Sequence, residues 1–190
     1  MEGSVEAAML KDDDDAQMWL PGHALGCYEN SVALRSWLLT PGLLTERIRD
    51  AAGRAFRMTL LAERADGAGG HLREIEMGRG AEVWMYARTR VPAATLARHP
   101  WLAAIGATPL GEALARHGAR VRKSEFGYAM LYPEFAVVAR ALERAGLGPQ
   151  ALWVRRSTFE IDGAPVALRE AFLPAIGAAE PHAAPLSGRA

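Results

Sequence analysis

The stretch from Leu152 to Leu173, LWVRRSTFEIDGAPVALREAFL, consists of two β-type runs on either side of Asp162-Gly163. An Asp-Gly pair in this position is a strong hairpin signal, because a type I′ turn needs positive φ at both central residues. A two-residue loop places Arg155 directly opposite Glu170. The face that they share is otherwise apolar and carries Phe159, Ile161, Val166, Leu168 and Phe172.

The Arg155–Glu170 pair allows two interpretations. One is a cross-strand ion pair near a sheet end, worth about 0.2–1 kcal/mol. The other is an apolar pocket that contains one acid and one base, since a buried carboxylate needs a partner or a ligand.

Outside this hairpin, strand and helix patterns interleave. Alternation of apolar and polar residues predicts strands over 55–63, 71–77, 81–91 and 120–132. Helical patterns cover 31–49, with a break at Pro41-Gly42, a segment with Thr108 as N-cap and Pro109 at the first helical position, and 133–145 with Gly146 as a stop. Strands joined mainly by hairpins predict an antiparallel sheet with helices on one face, which is an α+β fold.

A second arginine on an apolar face lies in the predicted hairpin around Gly78-Arg79-Gly80. Arg73 shares its strand face with Ile75 and Met77, and the partner strand is expected to offer Trp84, Tyr86 and Arg88 on that side. An arginine in these surroundings either extends its head group outward or binds an anion, and its fork matches a carboxylate in a bidentate manner. For Arg88 a structural role is favoured.

The composition excludes several classes of protein. The 190 residues carry 22 Lys+Arg and 22 Asp+Glu, and half of them are hydrophobic. Such a balance disfavours a nucleic-acid-binding protein, and the apolar fraction disfavours a disordered chain. No apolar run is long enough to span a membrane. The scattered histidines and the single cysteine, Cys27, predict no metal site and a reducing, cytoplasmic location.

The ends of the chain differ from its middle. Residues 1–17 contain the acidic run Asp12–Asp15 and are predicted to be a disordered, solvated leader. Residues 175–190 are rich in Ala, Pro and Gly and are predicted to be a flexible tail. One folded domain is therefore expected over 18–174.

Six segments between Ser36 and Pro174 resemble, in order, the chorismate pyruvate-lyases of the ubiquinone pathway. They are SWLL at 36–39, LREI at 72–75, WMYARTRVP at 84–92, GATPLG at 106–111, and LWVRRS with ALREAFLP at 152–157 and 167–174. The resemblance implies cleavage of chorismate into 4-hydroxybenzoate and pyruvate without a cofactor. It also implies a monomer with about six antiparallel strands, helices on one side and a site buried under flaps.

The resemblance assigns roles to four residues of this chain. Arg73 holds the ring carboxylate, Glu170 meets the ring hydroxyl, and both are catalytic. Leu44 and Leu110 contact the substrate through the main chain, although Leu44 replaces a methionine typical of the family. The segment 120–150 is longer than in the shorter members and departs from the family pattern there.

The residues themselves add three hypotheses. The N–H of Leu110 lies near a helix start and can donate to an anion. A carboxyl group on an apolar face, such as that of Glu170, can have a raised pKa and act as an acid. Arg155 is a candidate partner for the second carboxylate of the substrate.

Two alternatives remain open from sequence. The first is a non-catalytic module that binds small aromatic acids, since effector domains of some bacterial regulators resemble the same fold. The residues before Trp37 are too few and too acidic for a helix-turn-helix, which disfavours a regulator. The second is a lyase that releases another hydroxybenzoate, because the product depends on how the ring sits in the pocket.

Overall fold

The computed structural model describes residues 10–13, 16, 18–29, 31–118 and 120–179. Its centre is one antiparallel sheet of eight strands in the order β1-β6-β7-β8-β4-β3-β2, with β5 paired to β7. The strands are β1 (Leu20–Pro21), β2 (Phe56–Ala65), β3 (His71–Arg79), β4 (Glu82–Val91), β5 (Val121–Lys123), β6 (Gly127–Leu131), β7 (Leu152–Ile161) and β8 (Ala164–Phe172). The α+β class and the single antiparallel sheet are confirmed, whereas the count of about six is wrong because the short β1 and β5 join six longer strands.

Six α-helices accompany the sheet in the part of the chain that the structure describes. They are α1 (Val32–Leu38), α2 (Leu44–Ala52), α3 (Ala93–Arg98), α4 (Leu110–Arg116), α5 (Ala136–Ala145) and α6 (Pro174–Ala178). The stop at Gly146 is confirmed, because this residue ends α5 in the left-handed conformation with φ of 64°. The cap at Thr108 is wrong: α4 begins at Leu110, and its N-cap is Pro109 without a side-chain hydrogen bond.

The helices cover both faces of the sheet, so the expectation of helices on one side is wrong. On one face, Trp37 of α1, Ile48 of α2 and Ile176 of α6 pack around Trp84 and Trp153. On the other face, α5 buries its apolar side chains against Tyr86, Val154 and Ala171. The pattern of 133–145 indicates an amphipathic helix but carries no information on which side of the sheet it packs.

The β7–β8 hairpin agrees with its sequence prediction. Asp162 has φ of 50° and Gly163 has φ of 81°, as a type I′ turn requires. Arg155 pairs with Glu170 in the observed register. Local turn chemistry therefore fixed this pairing correctly.

The β3–β4 hairpin differs from its prediction by a bulge. The register shifts between Met77 and Gly78, so that Arg73 pairs with Thr89 and Glu74 pairs with Arg88. A Cβ at Gly78 would lie 1.9 Å from the Glu82 carbonyl oxygen, which explains a glycine at this close approach. The side chains next to Arg73 are consequently those of Met85, Ala87 and Thr89, while Tyr86 and Arg88 belong to the opposite face.

The predicted strand over 120–132 is two strands, because the segment 124–126 interrupts the pairing with β7. β5 pairs with Phe159–Ile161, and β6 pairs with Leu152–Arg156. Ser124 bridges the interruption: its N–H donates to the Thr158 carbonyl (2.8 Å), and its Oγ accepts from the Thr158 N–H (2.9 Å).

Parts of the expected leader and tail pack on the domain. The carboxylate of Asp13 is buried; it accepts a hydrogen bond from the Val137 N–H (2.8 Å) and pairs with Arg88 (2.6 Å). Asp12 pairs with Arg90 at 2.6 Å. The expectation of a solvated run is therefore wrong at Asp13, while Asp12 is ion-paired but partly exposed. Asp14 and Asp15 lie outside the described residues.

At the other end, helix α6 extends the fold beyond the expected boundary at residue 174. Ile176 is fully buried in the core, and the Trp37 indole N–H donates to the Ala179 carbonyl (3.4 Å). The rest of the predicted tail, residues 180–190, lies outside the described residues. Within the part of the chain that the structure describes, no helix is long and apolar enough to cross a membrane.

Candidate active site

A buried cavity lies between the sheet and the starts of α2 and α4. The cavity proper encloses about 50 Å³, and all the space between its lining residues out to solvent amounts to about 500 Å³. Its floor consists of residues from β3, β4, β7 and β8, and its other walls come from the segments 42–45, 110–111 and Lys123. The floor is mostly apolar and includes Ile75, Met77, Met85, Ala87, Phe159 and Leu168.

All five site residues expected from sequence line this one cavity: Arg73, Glu170, Leu44, Leu110 and Arg155. They come from five different elements, β3, β8, α2, α4 and β7. The β7–β8 register brings Arg155 beside Glu170, while β4 lies between β8 and the strand of Arg73. The convergence is a finding of the structure, whereas the role of each residue stays a prediction.

Arg73 is buried and is held by neutral groups. Its Nε donates to the Gly106 carbonyl (2.9 Å), and its Nη2 donates to the Thr108 carbonyl (2.8 Å). Burial lowers its pKa, and the negative charge of Glu63 partly offsets this effect. Main-chain carbonyls satisfy N–H donors without adding a full negative charge. The guanidinium can therefore hold an anionic ligand.

Glu63 also positions the loop that holds Arg73. Its Oε1 accepts a hydrogen bond from the Gly106 N–H (3.2 Å). The same residue whose charge acts on Arg73 thus fixes one of the carbonyls that orient it. Sequence reasoning did not single out Glu63, because it lies on β2 and meets the loop only in the fold.

Glu170 and Arg155 form a buried ion pair in the cavity. The Arg155 Nε donates to the Glu170 Oε2 at 2.7 Å, and both residues are at most 5% exposed. Among the described residues, no hydrogen bond uses the Oε1 of Glu170. The two interpretations drawn from sequence both apply, since the pair is cross-strand and also lines a pocket.

Arg155 is anchored within the protein at a second point. Its Nη1 donates to the carbonyls of Leu38 and Thr40, each at 3.2 Å, and its guanidinium stacks over the Phe126 ring at 4.2 Å. These contacts tie the loop between α1 and α2 to the sheet. They favour Arg155 as a residue that positions Glu170 over its earlier assignment to a second carboxylate.

Leu44 and Leu110 are each the first residue of a helix, α2 and α4 respectively, and neither helix has a side-chain cap. The first N–H groups of a helix have no partner within the helix. Both helix starts adjoin the cavity, where such groups favour an anion.

The same two helix starts meet over the cavity. Leu43, in the α1–α2 loop, packs directly against Gly111 of α4, and we call this contact the seam. A Cβ at Gly111 would lie only 2.6 Å from the Leu43 Cδ2, so the close contact requires glycine at this position. Outside this seam lies a larger groove lined by Leu43, Glu46, Arg49 and Glu112, among others. The seam separates the buried cavity from that groove and has the position of a lid.

Lys123 is a cavity residue that sequence reasoning missed. Its ammonium lies over the rings of Phe126 (4.0 Å) and Phe159 (5.3 Å) at the mouth of the cavity. The signal was its rarity, since the chain has two lysines, Lys11 and Lys123. It lies in the segment 120–150, where the family pattern offered no guide.

Three cationic side chains and one anionic side chain thus line the cavity. Fold and site together define a single-sheet α+β protein with a buried pocket for a small molecule that carries negative charge. The family model of chorismate lyase matches residues 15–180. The chain belongs to the chorismate lyase family.

Two sequence relatives agree with this membership. The chain is 32% identical to a probable chorismate pyruvate-lyase of Thiobacillus denitrificans over 174 residues, covering 83% of this chain and 89% of the relative. It is 32% identical to the chorismate pyruvate-lyase of Salmonella arizonae over 157 residues, covering 75% and 83%. Among solved structures, the effector domain of PhnF from Mycobacterium smegmatis aligns with a TM-score of 0.47 and 16% identity, covering 66% of this chain and 86% of that domain.

Proposed function

We propose that this protein is a chorismate pyruvate-lyase that releases 4-hydroxybenzoate and pyruvate, the first committed step toward ubiquinone. The observation that carries the proposal is that Arg73 and Glu170 line one buried cavity in a chain of the chorismate lyase family. The proposal includes a monomer that acts in the cytoplasm without a cofactor.

The substrate fits the charges of the cavity. Chorismate is a dianion, and the lining has a formal excess of two positive charges. Its ring carboxylate is placed on Arg73 and on the N–H groups at the starts of α2 and α4. The ring hydroxyl lies para to that carboxylate and donates to the free Oε1 of Glu170.

The reaction is an elimination driven by aromatisation. The ring carbon that bears the hydroxyl loses its hydrogen as a proton, the neighbouring carbon–oxygen bond breaks, and the enolpyruvate leaves and takes up a proton to become pyruvate. The protein contributes a fixed orientation of the ring and cationic side chains near the departing oxygen. The closed seam at Leu43 and Gly111 excludes water from the site.

Glu170 has a specific task in this scheme. Arg155 already donates to its Oε2. The geometry therefore suits a carboxylate whose Oε1 accepts a hydrogen bond from the ring hydroxyl. This replaces the earlier hypothesis that Glu170 is an acid. The accepted hydrogen bond fixes the ring and favours the phenol that forms.

The test is to incubate the purified chain with chorismate and identify the products. We expect equal amounts of 4-hydroxybenzoate and pyruvate. Turnover should be at least about ten-fold lower for Glu170→Gln, since the ring hydroxyl would bond to a neutral amide instead of a charged carboxylate. Release of another hydroxybenzoate would overturn the assigned orientation. Tight binding of 4-hydroxybenzoate without any turnover would instead make the protein a binding module.

A further inference from the structure

Lys123 is the charged residue of the cavity for which the proposed reaction has no role yet. It is the last residue of β5, and the ammonium group lies between the rings of Phe126 and Phe159. No salt bridge to Lys123 occurs among residues 10–13, 16, 18–29, 31–118 and 120–179. An ammonium group at a cavity mouth without a carboxylate partner is suited to an incoming anion.

Lys123 lies at the Arg155 end of the cavity, because the Lys123 Nζ and the Arg155 Cζ are 4.0 Å and 4.2 Å from the centre of the same Phe126 ring. Its pKa is lowered, first by burial of the ammonium end, then by repulsion from Arg155, and attraction by Glu170 opposes both. Lys123 therefore lies close enough to the Arg155–Glu170 pair to respond to both charges.

The shape of chorismate indicates what reaches this end. With the ring carboxylate on Arg73, the hydroxyl lies at the opposite end of the ring, at Glu170. The enolpyruvyl ether is attached to the carbon next to the hydroxyl, so its carboxylate extends beside the Arg155–Glu170 pair. The Lys123 nitrogen contacts two aromatic rings there, but it has no hydrogen bond or salt bridge with another described residue.

We propose that Lys123 binds the carboxylate of the enolpyruvyl group and so selects substrates with a second carboxylate at this position. The inference rests on the proposed function and deepens it. It assigns to Lys123 the contact first assigned to Arg155, whose Nε and Nη1 are used by Glu170 and by the Leu38 and Thr40 carbonyls.

The product supports a binding contact that is lost during the reaction. 4-Hydroxybenzoate keeps the ring carboxylate and the hydroxyl but has no second carboxylate. Lys123 should therefore contribute to the binding of substrate and not of product. A role that is merely structural would affect both ligands alike.

The experiment compares Lys123→Met with Lys11→Met. Lys11 is the other lysine of the chain and is half exposed at an ion pair with Glu134, away from the cavity. For Lys123→Met we expect kcat/KM for chorismate to fall about 10- to 100-fold, as for one lost hydrogen bond to a charged group. Binding of 4-hydroxybenzoate should stay within about two-fold of the wild type, and Lys123→Arg should recover most of the loss.

A probe without turnover separates binding from chemistry. 3-(Carboxymethoxy)-4-hydroxybenzoate carries an ether-linked carboxylate next to the hydroxyl. Lys123→Met should weaken its binding about ten-fold or more by the same reasoning, whereas Lys11→Met should not. Unchanged affinity of Lys123→Met for this probe, or equal loss for probe and 4-hydroxybenzoate, would overturn the inference.

A measurement on the wild-type chain covers the case in which the variant does not fold. After reductive ¹³C-methylation, the two lysines give separate dimethylammonium signals in NMR spectra. The Lys123 signal should move more with the dicarboxylate probe than with 4-hydroxybenzoate, and equal movement would contradict the inference. If the wild type fails to turn over chorismate, the proposed function fails instead, so the two failures are distinguishable.

Discussion

Strand β3 carries charged residues on both of its faces, and the partners of these charges differ between the two faces. Under α5, Glu74 lies within 3.5 Å of two arginines, and so does Glu76. These arginines are Arg64 and Arg88 for Glu74, and Arg57 and Arg144 for Glu76. On the cavity face, Arg73 is instead held by the carbonyls of Gly106 and Thr108.

The difference separates charges that hold the fold from charges that are available to a ligand. A carboxylate paired with arginines has its charge compensated within the protein. An arginine bonded to neutral carbonyls has its donors satisfied but keeps its net charge. The Arg155–Glu170 pair is intermediate, since it is compensated internally and yet faces the cavity.

The largest effect is expected at this intermediate pair. Arg155→Met should lower the free energy of unfolding by about 3–5 kcal/mol, because Glu170 would remain buried without its counter-charge. The double variant Arg155→Met/Glu170→Met should regain most of this stability and still lack turnover. Urea denaturation and chorismate assays measure both. If Arg155→Met were as stable as the wild type, the prediction would be wrong, and the pair would contribute no more to stability than an exposed ion pair does.

Next in size is the loss of Arg73. Arg73→Met should reduce kcat/KM for chorismate about 100-fold or more, the loss typical of removing one partner of a buried charged contact. Arg64→Met is the matched control on the opposite face, since Arg64 is half exposed and pairs with Glu74. It should change turnover less than about two-fold and stability by at most about 1 kcal/mol. If both variants lowered turnover equally, the cavity face would not differ from the opposite face in its importance for the reaction.

A smaller effect is expected at the Leu43–Gly111 seam, which covers the cavity face of the sheet. Gly111→Ala places a Cβ against Leu43 and should destabilise the closed seam by about 1–3 kcal/mol, as overpacking does. Stopped-flow release of 4-hydroxybenzoate should become faster, and Leu43→Ala should restore the slower rate. Gly148→Ala is the control, because a Cβ there meets no atom within 4 Å. Unchanged release in Gly111→Ala would show that product leaves by another route.

The smallest effect concerns Asp13 on the α5 face and its dependence on pH. Burial raises the pKa of Asp13 above its ordinary value of 3.8, although Arg88 and the Val137 N–H act in the opposite direction. The folded chain therefore holds this proton more tightly than the unfolded chain. As pH rises from below 3.8 through the folded-state pKa, wild type should lose stability relative to Asp13→Asn. Urea denaturation of the wild type and of Asp13→Asn across this pH range measures the difference in their free energies of unfolding. A gain in stability of the wild type relative to Asp13→Asn as the pH rises would contradict the prediction.

The accuracy of sequence reasoning depended on how local the deciding interaction was. The β7–β8 register follows from Asp162-Gly163, two adjacent residues whose backbone preference sets the turn. The β3–β4 register depends on a bulge at Gly78, where the carbonyl of Glu82, four positions away in the partner strand, approaches closely. A glycine near a turn does not reveal whether it belongs to the turn or to a bulge.

The site shows the same limit. Arg73 and Glu170 were predictable because each is a charge among apolar residues within a family motif. The partners that orient them were not, since Glu63, Gly106 and the Leu38 and Thr40 carbonyls approach only after folding. Arg88 could not be assigned to its face without the bulge, and Asp13 meets it from a segment 75 positions away.

The docking of Lys11 to Asp13 has a consequence for the order in which the protein can form. Lys11 bonds with Glu134 and Ala136, and Asp13 accepts from Val137, which is 124 positions later in the chain. At synthesis rates of about 5–20 residues per second, this separation corresponds to a delay of roughly 6–25 s. The β2–β3 and β3–β4 pairings can close during that interval, whereas Arg88 must wait for α5 to hold Asp13 in place. The contacts of the earliest described residues are thus completed only after α5 has been synthesised, and before β7 and β8 can join the sheet.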